Sequence, residues 1–256
     1  VLAITGPIYV VIALGYTAVR GGLFGRDDLR ALGRFVATFA LPALLFSALA
    51  RQRGGEIVEP VYLAAYAIAV STMLLGVFAW ERFARKRAAP HGTVVALGAS
   101  IPNLAFVGYP IVVPLLGGAG AVGVALSLVV DNLLILPLAL ALGGSDGGRE
   151  GERRVKVLAQ TLAGVARNPI VIGIAAGFAL SLSGVALPGV VARTIDLVAA
   201  ASTAVALFVV GGSLVGLEVR GMARDVAAIA AGKLVLHPAL VAALLAVLPP
   251  IDPALR

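Results

Sequence analysis

The sequence predicts an all-α, polytopic membrane protein, an inverted repeat of five transmembrane helices with ten spans expected, about eight present, and one broken at mid-span. Three observations carry this reading. Hydrophobic residues make up 60% of the 256 and charged residues 13%, against roughly 45–50% and 25% in soluble domains; mean hydropathy is +1.03. The apolar residues gather into stretches close to the ~20 residues a helix needs to cross a hydrocarbon core. Two of these stretches match later ones at a common offset, with an odd number of spans between the copies.

In order, the spans are expected at Gly6–Val19, Phe35–Ala50, Pro60–Trp80, Gly92–Leu116, Ala121–Leu142, Asn168–Ser183, Val190–Gly216 and Val226–Leu248. The first, second and sixth are short as drawn, so flanking residues should extend them. The first continues into a repeat unit and reads as structural rather than as a leader. A polar loop, Gly143 to Arg167, links the fifth and sixth; its glycines and charges predict a flexible connection, with Val155–Ala166 as an amphipathic lead-in to the sixth span. Small residues are abundant throughout, as close packing of helices in lipid requires.

With the N-terminus placed outside, the inner loops hold Arg20, Arg26, Arg30, Arg34, Arg82, Arg85, Lys86, Arg87, Arg149, Arg153, Arg154, Lys156, Arg167, Arg220 and Arg224. The outer loops hold only Arg51, Arg53, Arg193 and Arg256. The bias of basic residues toward the cytoplasmic side predicts a multi-pass protein of the plasma (inner) membrane with its N-terminus outside. It also accounts for the net charge of +7 without nucleic acid as a partner. There are no cysteines and two histidines, which argues against a disulfide framework or a zinc centre. No cofactor is expected, and the chain carries no phosphate-binding loop of the Gly-x-x-x-x-Gly-Lys-Ser/Thr type for nucleotide-driven transport.

The repeat lays Gly6-Pro-Ile-Tyr-Val-Val-Ile-Ala-Leu-Gly-Tyr16 on Asn168-Pro-Ile-Val-Ile-Gly-Ile-Ala-Ala-Gly-Phe178, an offset of 162, and at the same offset Leu41–Phe46 on Thr203–Phe208. The first copy begins outside and the second inside, so the topology inverts, as in many secondary transporters. Residues 1–142 form the first repeat, 143–167 a cytoplasmic loop and 168–256 a partial second repeat. Counterparts of the fourth and fifth spans are therefore expected beyond Arg256.

The fourth span holds the most informative stretch, Gly98-Ala-Ser-Ile-Pro-Asn-Leu-Ala-Phe-Val-Gly-Tyr-Pro110. Pro102 removes a donor and clashes with the preceding turn, about 15 Å into the span and so near the midplane of a core about 30 Å thick. Backbone freed at that depth must face protein or a wet cavity. The half-helix after the break offers free amides and its positive dipole end to an anion, and Asn103 adds a side-chain donor. The bland alternative is a packing kink with Asn103 satisfying the backbone it disturbs. Gly98 permits close helix crossing, while Gly108, Pro110, Pro169 and Pro238 are expected as structural helix breaks; Pro114 bends the outer half.

Asp131 lies mid-span in the fifth segment. An intramembrane carboxylate points to function by default: proton exchange, sodium binding, or pairing with Lys233. Lys233 itself either snorkels to the interface, holds a substrate anion, or neutralises Asp131. His237 shares its helix face. Ser100 is a candidate substrate-binding residue, Ser47 and Ser127 are polar liners, and Arg193 and Asp196 are interfacial.

The run Ser100-Ile-Pro-Asn103 with Gly108-Tyr-Pro110 resembles the fourth-helix motif of the auxin efflux carrier family, which includes plant PIN-type auxin exporters and bacterial malate or malonate permeases. Leu41–Phe46, Asn168-Pro169, Lys233 and His237-Pro238 match as well. The resemblance implies two inverted repeats of five spans, two broken helices crossing near the midplane, and a scaffold from spans one, two, six and seven. It also implies a homodimer, expected through spans two and seven. The function expected is secondary active transport of a small organic anion, a carboxylate, bound at Pro102 and Asn103 with Ser100 and Lys233, with Asp131 coupling a proton or ion. The alternatives are a sodium- or proton-coupled cation exchanger or symporter of the same architecture and a non-transporting membrane sensor or scaffold. An intramembrane hydrolase lacks any supporting motif, and no enzyme activity is expected.

Overall fold

The computed structural model describes residues 2–52, 60–144, 164, 167–217 and 223–247. The described chain is helical, ordered as α1 (Leu2–Arg20), α2 (Arg26–Ala50), α3 (Pro60–Ala84), α4 (Ala89–Ser100), α5 (104–116), α6 (118–143), α7 (Pro169–Ser183), α8 (Gly189–Ser213) and α9 (Ala223–Val247). Helices α4 to α6 fall in one apolar run of 55 residues, Ala89–Gly143, which would be about 80 Å long if straight, far more than a bilayer. It is divided by the extended backbone at Ile101 to Asn103 and by Gly117 at φ 60, ψ −135, a conformation open to glycine because it has no Cβ. Most of the predicted Gly143–Arg167 loop, including the Val155–Ala166 lead-in, lies outside the described residues.

Two spans differ from expectation at their ends. The second begins at Arg26, not Phe35, because Asp27 and Asp28 favour a helix N-terminus and Asp28 accepts the Gly25 amide at 2.8 Å. Arg26, Arg30 and Arg34 thus ride on a helix rather than a loop, with Arg30 paired to Asp27 at 2.6 Å. The sixth stays short at 15 residues, opening at Pro169 behind an Asn168 cap whose side chain accepts the Ile170 amide at 2.9 Å.

Proline shapes the helices by widening them. Of the five π-helical stretches among the described residues, four end two residues before a proline: Val36–Ala40 before Pro42, Leu104–Gly108 before Pro110, Asp131–Ile135 before Pro137 and Gly232–Leu236 before Pro238. In each, the residue ahead of the proline donates to the carbonyl five residues back: Leu41 to Val36, Tyr109 to Leu104, Leu136 to Asp131 and His237 to Gly232. The wide turn carries the carbonyl four residues before the proline clear of the pyrrolidine ring. Gly108, Pro110 and Pro238 are therefore not interruptions; the chain stays helical through each.

The chain forms two compact units that cut across the sequence repeats: residues 1–58, 103–125 and 168–218 make the first, and 59–102, 126–167 and 219–256 the second. In the first unit α1 packs on α8, and α2 on α7 and α8. The approach is close enough to touch backbone: a Cβ at Gly177 would lie 2.8 Å from the Phe46 carbonyl oxygen, and a Cβ at Gly15 would collide with the carbonyl of Phe208. Gly15 and Gly177 are related by the 162-residue offset, and so are Phe46 and Phe208, so the two contacts are reciprocal.

In the second unit α3 packs on α4 and α9, and α4 on the last part of α6. Gly92 lies against Glu81 and Phe78, and Gly98 against Ile229. At one end Arg85 bridges Glu81 (2.9 Å) and Asp225 (2.7 Å), and Arg87 also reaches Asp225 at 2.7 Å. Lys86, between the two arginines, takes φ 52. Asp225 sits in the first turn of α9, so this cluster ties the start of α9 to the α3–α4 turn.

Replacing Gly177 or Gly15 with leucine should force the paired backbones apart. Each substitution should cost roughly 1–3 kcal/mol, read as a lower melting temperature in detergent, while Gly76→Leu, whose Cβ would meet open space, serves as the control. Melting temperatures no lower than that control would show that the helices do not approach this closely.

Candidate functional site

One candidate feature is the break in the fourth span. Helix α4 ends as Ile101 turns extended (φ −81, ψ 115), its amide still donating to Leu97. Pro102 follows, and the boundary between the two compact units falls between Pro102 and Asn103. Asn103 (φ −81, ψ 67) caps the next half-helix: its side-chain oxygen accepts the Phe106 amide at 3.3 Å, and its carbonyl accepts those of Val107 (3.1 Å) and Gly108 (2.9 Å). The first amides of a helix have no intrahelical partner, and the Leu104 and Ala105 amides make no bond outside their helix among the described residues. Asn103 is exposed. Its cap is the structural role foreseen for it, and it leaves the side-chain NH2 free of any bond among the described residues. Ser100 is fully buried, and its hydroxyl donates to the Ala96 carbonyl at 2.6 Å; it serves its own helix and presents nothing at the break.

A second, separate feature is a polar ladder inside the second unit. Tyr62 and Tyr66 lie one turn apart on α3, and Ser127 and Asp131 one turn apart on α6. The Tyr62 and Ser127 hydroxyls are 2.8 Å apart. The Tyr66 hydroxyl donates to the Asp131 carboxylate, 3.1 Å from Oδ1 and 3.3 Å from Oδ2. Both rungs join residues 65 apart in sequence, so the two helices run parallel here with their turns in step. The tyrosine rings stack at 6.3 Å and 9°. Asp131 is 5% exposed and opens the wide turn ahead of Pro137. Asn132 donates to the Leu128 carbonyl at 2.8 Å.

His237 packs against Tyr66, ring centroids 6.1 Å apart. It is 6% exposed, and its Nε2 is buried without a hydrogen-bond partner among the described residues. Lys233 lies one turn earlier and is half-buried; among the described residues no ion pair joins it to Asp131. The structure thus brings Asp131, Lys233 and His237 into one unit and adds Tyr62, Tyr66 and Ser127 around them. The tyrosines were missed as site residues in the sequence. The signal was present in the shared i, i+4 spacing of Tyr62/Tyr66 and Ser127/Asp131, but nothing in one dimension aligns α3 with α6. Asp196, expected at the membrane interface, bonds Ser47 at 2.7 Å and Arg51 at 2.6 Å. No cluster of three or more His, Cys, Asp or Glu suited to a metal occurs among the described residues.

Comparison with known proteins follows the same lines. The sequence model of the family described as membrane transport protein matches residues 4–252. An uncharacterized transporter of Escherichia coli (strain K12), YfdV, is 30% identical over 211 residues, covering 80% of this chain and 66% of that protein. A protein of Rhizobium meliloti (strain 1021), provisionally described as a malonate transporter, is 27% identical over 238 residues, 91% of this chain and 73% of its own length. Auxin efflux carrier component 2 of Arabidopsis thaliana is 27% identical over 143 residues, 56% of this chain and 22% of that protein. The chain spans just under two thirds of the length of the E. coli relative. A match across nearly the whole chain, on a helical fold whose fourth span breaks at Pro102-Asn103, places this protein in the membrane transport protein family, the family of the auxin efflux carriers.

Proposed function

We propose that this protein is a secondary active carrier of a small organic anion, a carboxylate, working by alternating access in the inner membrane with its N-terminus outside. The observation that carries the reading is the broken fourth span. A half-helix whose first two amides make no bond outside it among the described residues, capped by an exposed Asn103, is a site for a carboxylate that needs no buried cation. The names of two relatives support the substrate class, since malonate and auxin are both carboxylic acids. The distribution of lysine and arginine supports the orientation. The reciprocal Gly15–Phe208 and Gly177–Phe46 contacts support the inverted repeat. Division into two compact units, meeting in the chain at the break, supports an elevator-like or rocking motion of one unit against the other. Lys233 adds positive charge within the second unit, and Asp131 carries the coupling proton.

A second reading has one observation in its favour. Asp131 sits with the hydroxyls of Tyr66, Tyr62 and Ser127, an oxygen-rich cluster that suits a sodium ion as well as a proton. Uptake that depends on sodium at constant pH would select it.

Asn103→Asp separates the structural from the binding role. Aspartate keeps the acceptor for the Phe106 amide, so melting should stay near that of the parent, while its charge opposes the substrate carboxylate. Affinity should fall by about 100-fold, near 2.7 kcal/mol; unchanged affinity would sink the anion site at the break.

Asp131→Asn should flatten the pH dependence of carboxylate uptake into proteoliposomes. Tyr66→Phe, which removes the donor to Asp131, should move the midpoint of that dependence by about one pH unit, with a smaller effect from Tyr62→Phe one rung away. A pH profile identical to the parent in Asp131→Asn would make the carboxylate structural.

A further inference from the structure

Two connected cavities on the first unit carry a site that the proposed transport cycle does not use. The upper one, about 190 Å³, lies where α2 and α7 end and α8 begins, and is lined by Phe46, Ser47, Arg51, Leu180, Ile195 and Asp196 among others. The lower one, about 320 Å³, is a groove between α2 and α7 walled by Thr38, Pro42, Ala43, Phe46, Gly173 and Ile195 among others. Phe46 and Ile195 line both, so the groove runs into the upper cavity. From Thr38 to Arg51 it follows α2 for about 20 Å, a large part of the way through a core about 30 Å thick. Its lower walls are mostly apolar, with Thr38 at one end; its upper end is charged.

The charges are arranged in an informative way. Arg51 gives only Nη2 to Asp196, 2.6 Å from both carboxylate oxygens, and Ser47 donates to Oδ1 at 2.7 Å. The Arg51 Nε and Nη1 make no hydrogen bond among the described residues, and the Asp196 Oδ2 receives a single one. The side chains are 66% and 42% exposed, so both charges remain open to a ligand. An arginine with free donors reads a phosphate. A carboxylate beside it repels a second anion and attracts an ammonium. A ligand matching the whole feature carries a phosphate and an amine on one end and a hydrocarbon chain on the other.

We propose that this feature is a binding site for a zwitterionic phospholipid with a primary amine, a phosphatidylethanolamine. Its phosphate lies on Arg51, its ammonium on Asp196, and one acyl chain in the α2–α7 groove. The amine is specific, because a primary ammonium donates hydrogen bonds to a carboxylate and the trimethylammonium of phosphatidylcholine has no N–H to donate. The site makes bound lipid part of the first unit's surface.

The test is lipid retention by the purified, delipidated protein. Native mass spectrometry follows titration with phosphatidylethanolamine, phosphatidylcholine or phosphatidylglycerol of matched chains. The parent should retain one phosphatidylethanolamine in preference to either other lipid by about tenfold. Asp196→Asn should bring the ethanolamine-to-choline ratio to about one. Ala43→Trp, which fills the groove and leaves the ion pair intact, should release all three lipids while the protein elutes as a single species with unchanged helicity. Equal retention of phosphatidylethanolamine and phosphatidylcholine by the parent would overturn the amine recognition. Retention undiminished in a folded Ala43→Trp protein would overturn the groove. A parent that binds no lipid but forms dimers dispersed by Ala43→Trp would assign the surface to a second copy of the chain and overturn the proposal. None of these readouts depends on transport.

Discussion

An unpaired backbone amide or carbonyl in hydrocarbon costs several kcal/mol, and four of the five π-helical stretches among the described residues answer that cost. Pro42, Pro110, Pro137 and Pro238 each withhold a donor. Ahead of each, five residues widen into a π turn and the amide before the proline finds the carbonyl five residues back. The helix survives with one wide turn instead of a gap. At Pro102 the chain comes apart, and there Asn103 takes up three amides between its side chain and its carbonyl. Two of the wide turns hold Asp131 and Lys233, so the proline positions also settle where the intramembrane charges sit on their helices.

Lipid tails are as apolar as leucine, so helix association in a membrane relies on close packing rather than on exclusion of water. The first unit meets this with glycine. Gly15 and Gly177 admit the carbonyls of Phe208 and Phe46, and the two contacts exchange places under the 162-residue offset. Each pairs a span of one sequence repeat with a span of the other. That is why the compact units do not coincide with residues 1–142 and 168–256: halves that exchange their packing partners cannot fold as separate bodies. The second unit relies more on polar links, the Tyr–Ser and Tyr–Asp rungs within it and the Arg85–Asp225 tie at one end.

Much of this was legible in the sequence. Hydropathy marks the spans, and the proline, asparagine and aspartate at mid-span stand out because hydrocarbon makes them costly. The role of Asn103 as a cap follows from its place before a half-helix. Ser100 illustrates the limit: its position beside the break resembles that of a ligand-binding residue, yet its hydroxyl bonds the turn behind it, and helical rotation decides the difference. Tyr62 and Tyr66 illustrate the reverse, since neither is conspicuous among apolar neighbours until α6 is laid beside α3.

By itself the sequence determined the helical class, the approximate spans and the mid-span break, all of which follow from composition, periodicity and the chemistry of proline. The tertiary structure decided which residues meet. It gave Asp131 to Tyr66 rather than to Lys233, set Arg51 and Asp196 at the head of an apolar groove, and sorted spans from both repeats into each compact unit. These pairings depend on the rotation and register of one helix against another. Rotation and register are set by glycine contacts and hydrogen bonds between residues far apart in the chain, where one-dimensional spacing carries no information.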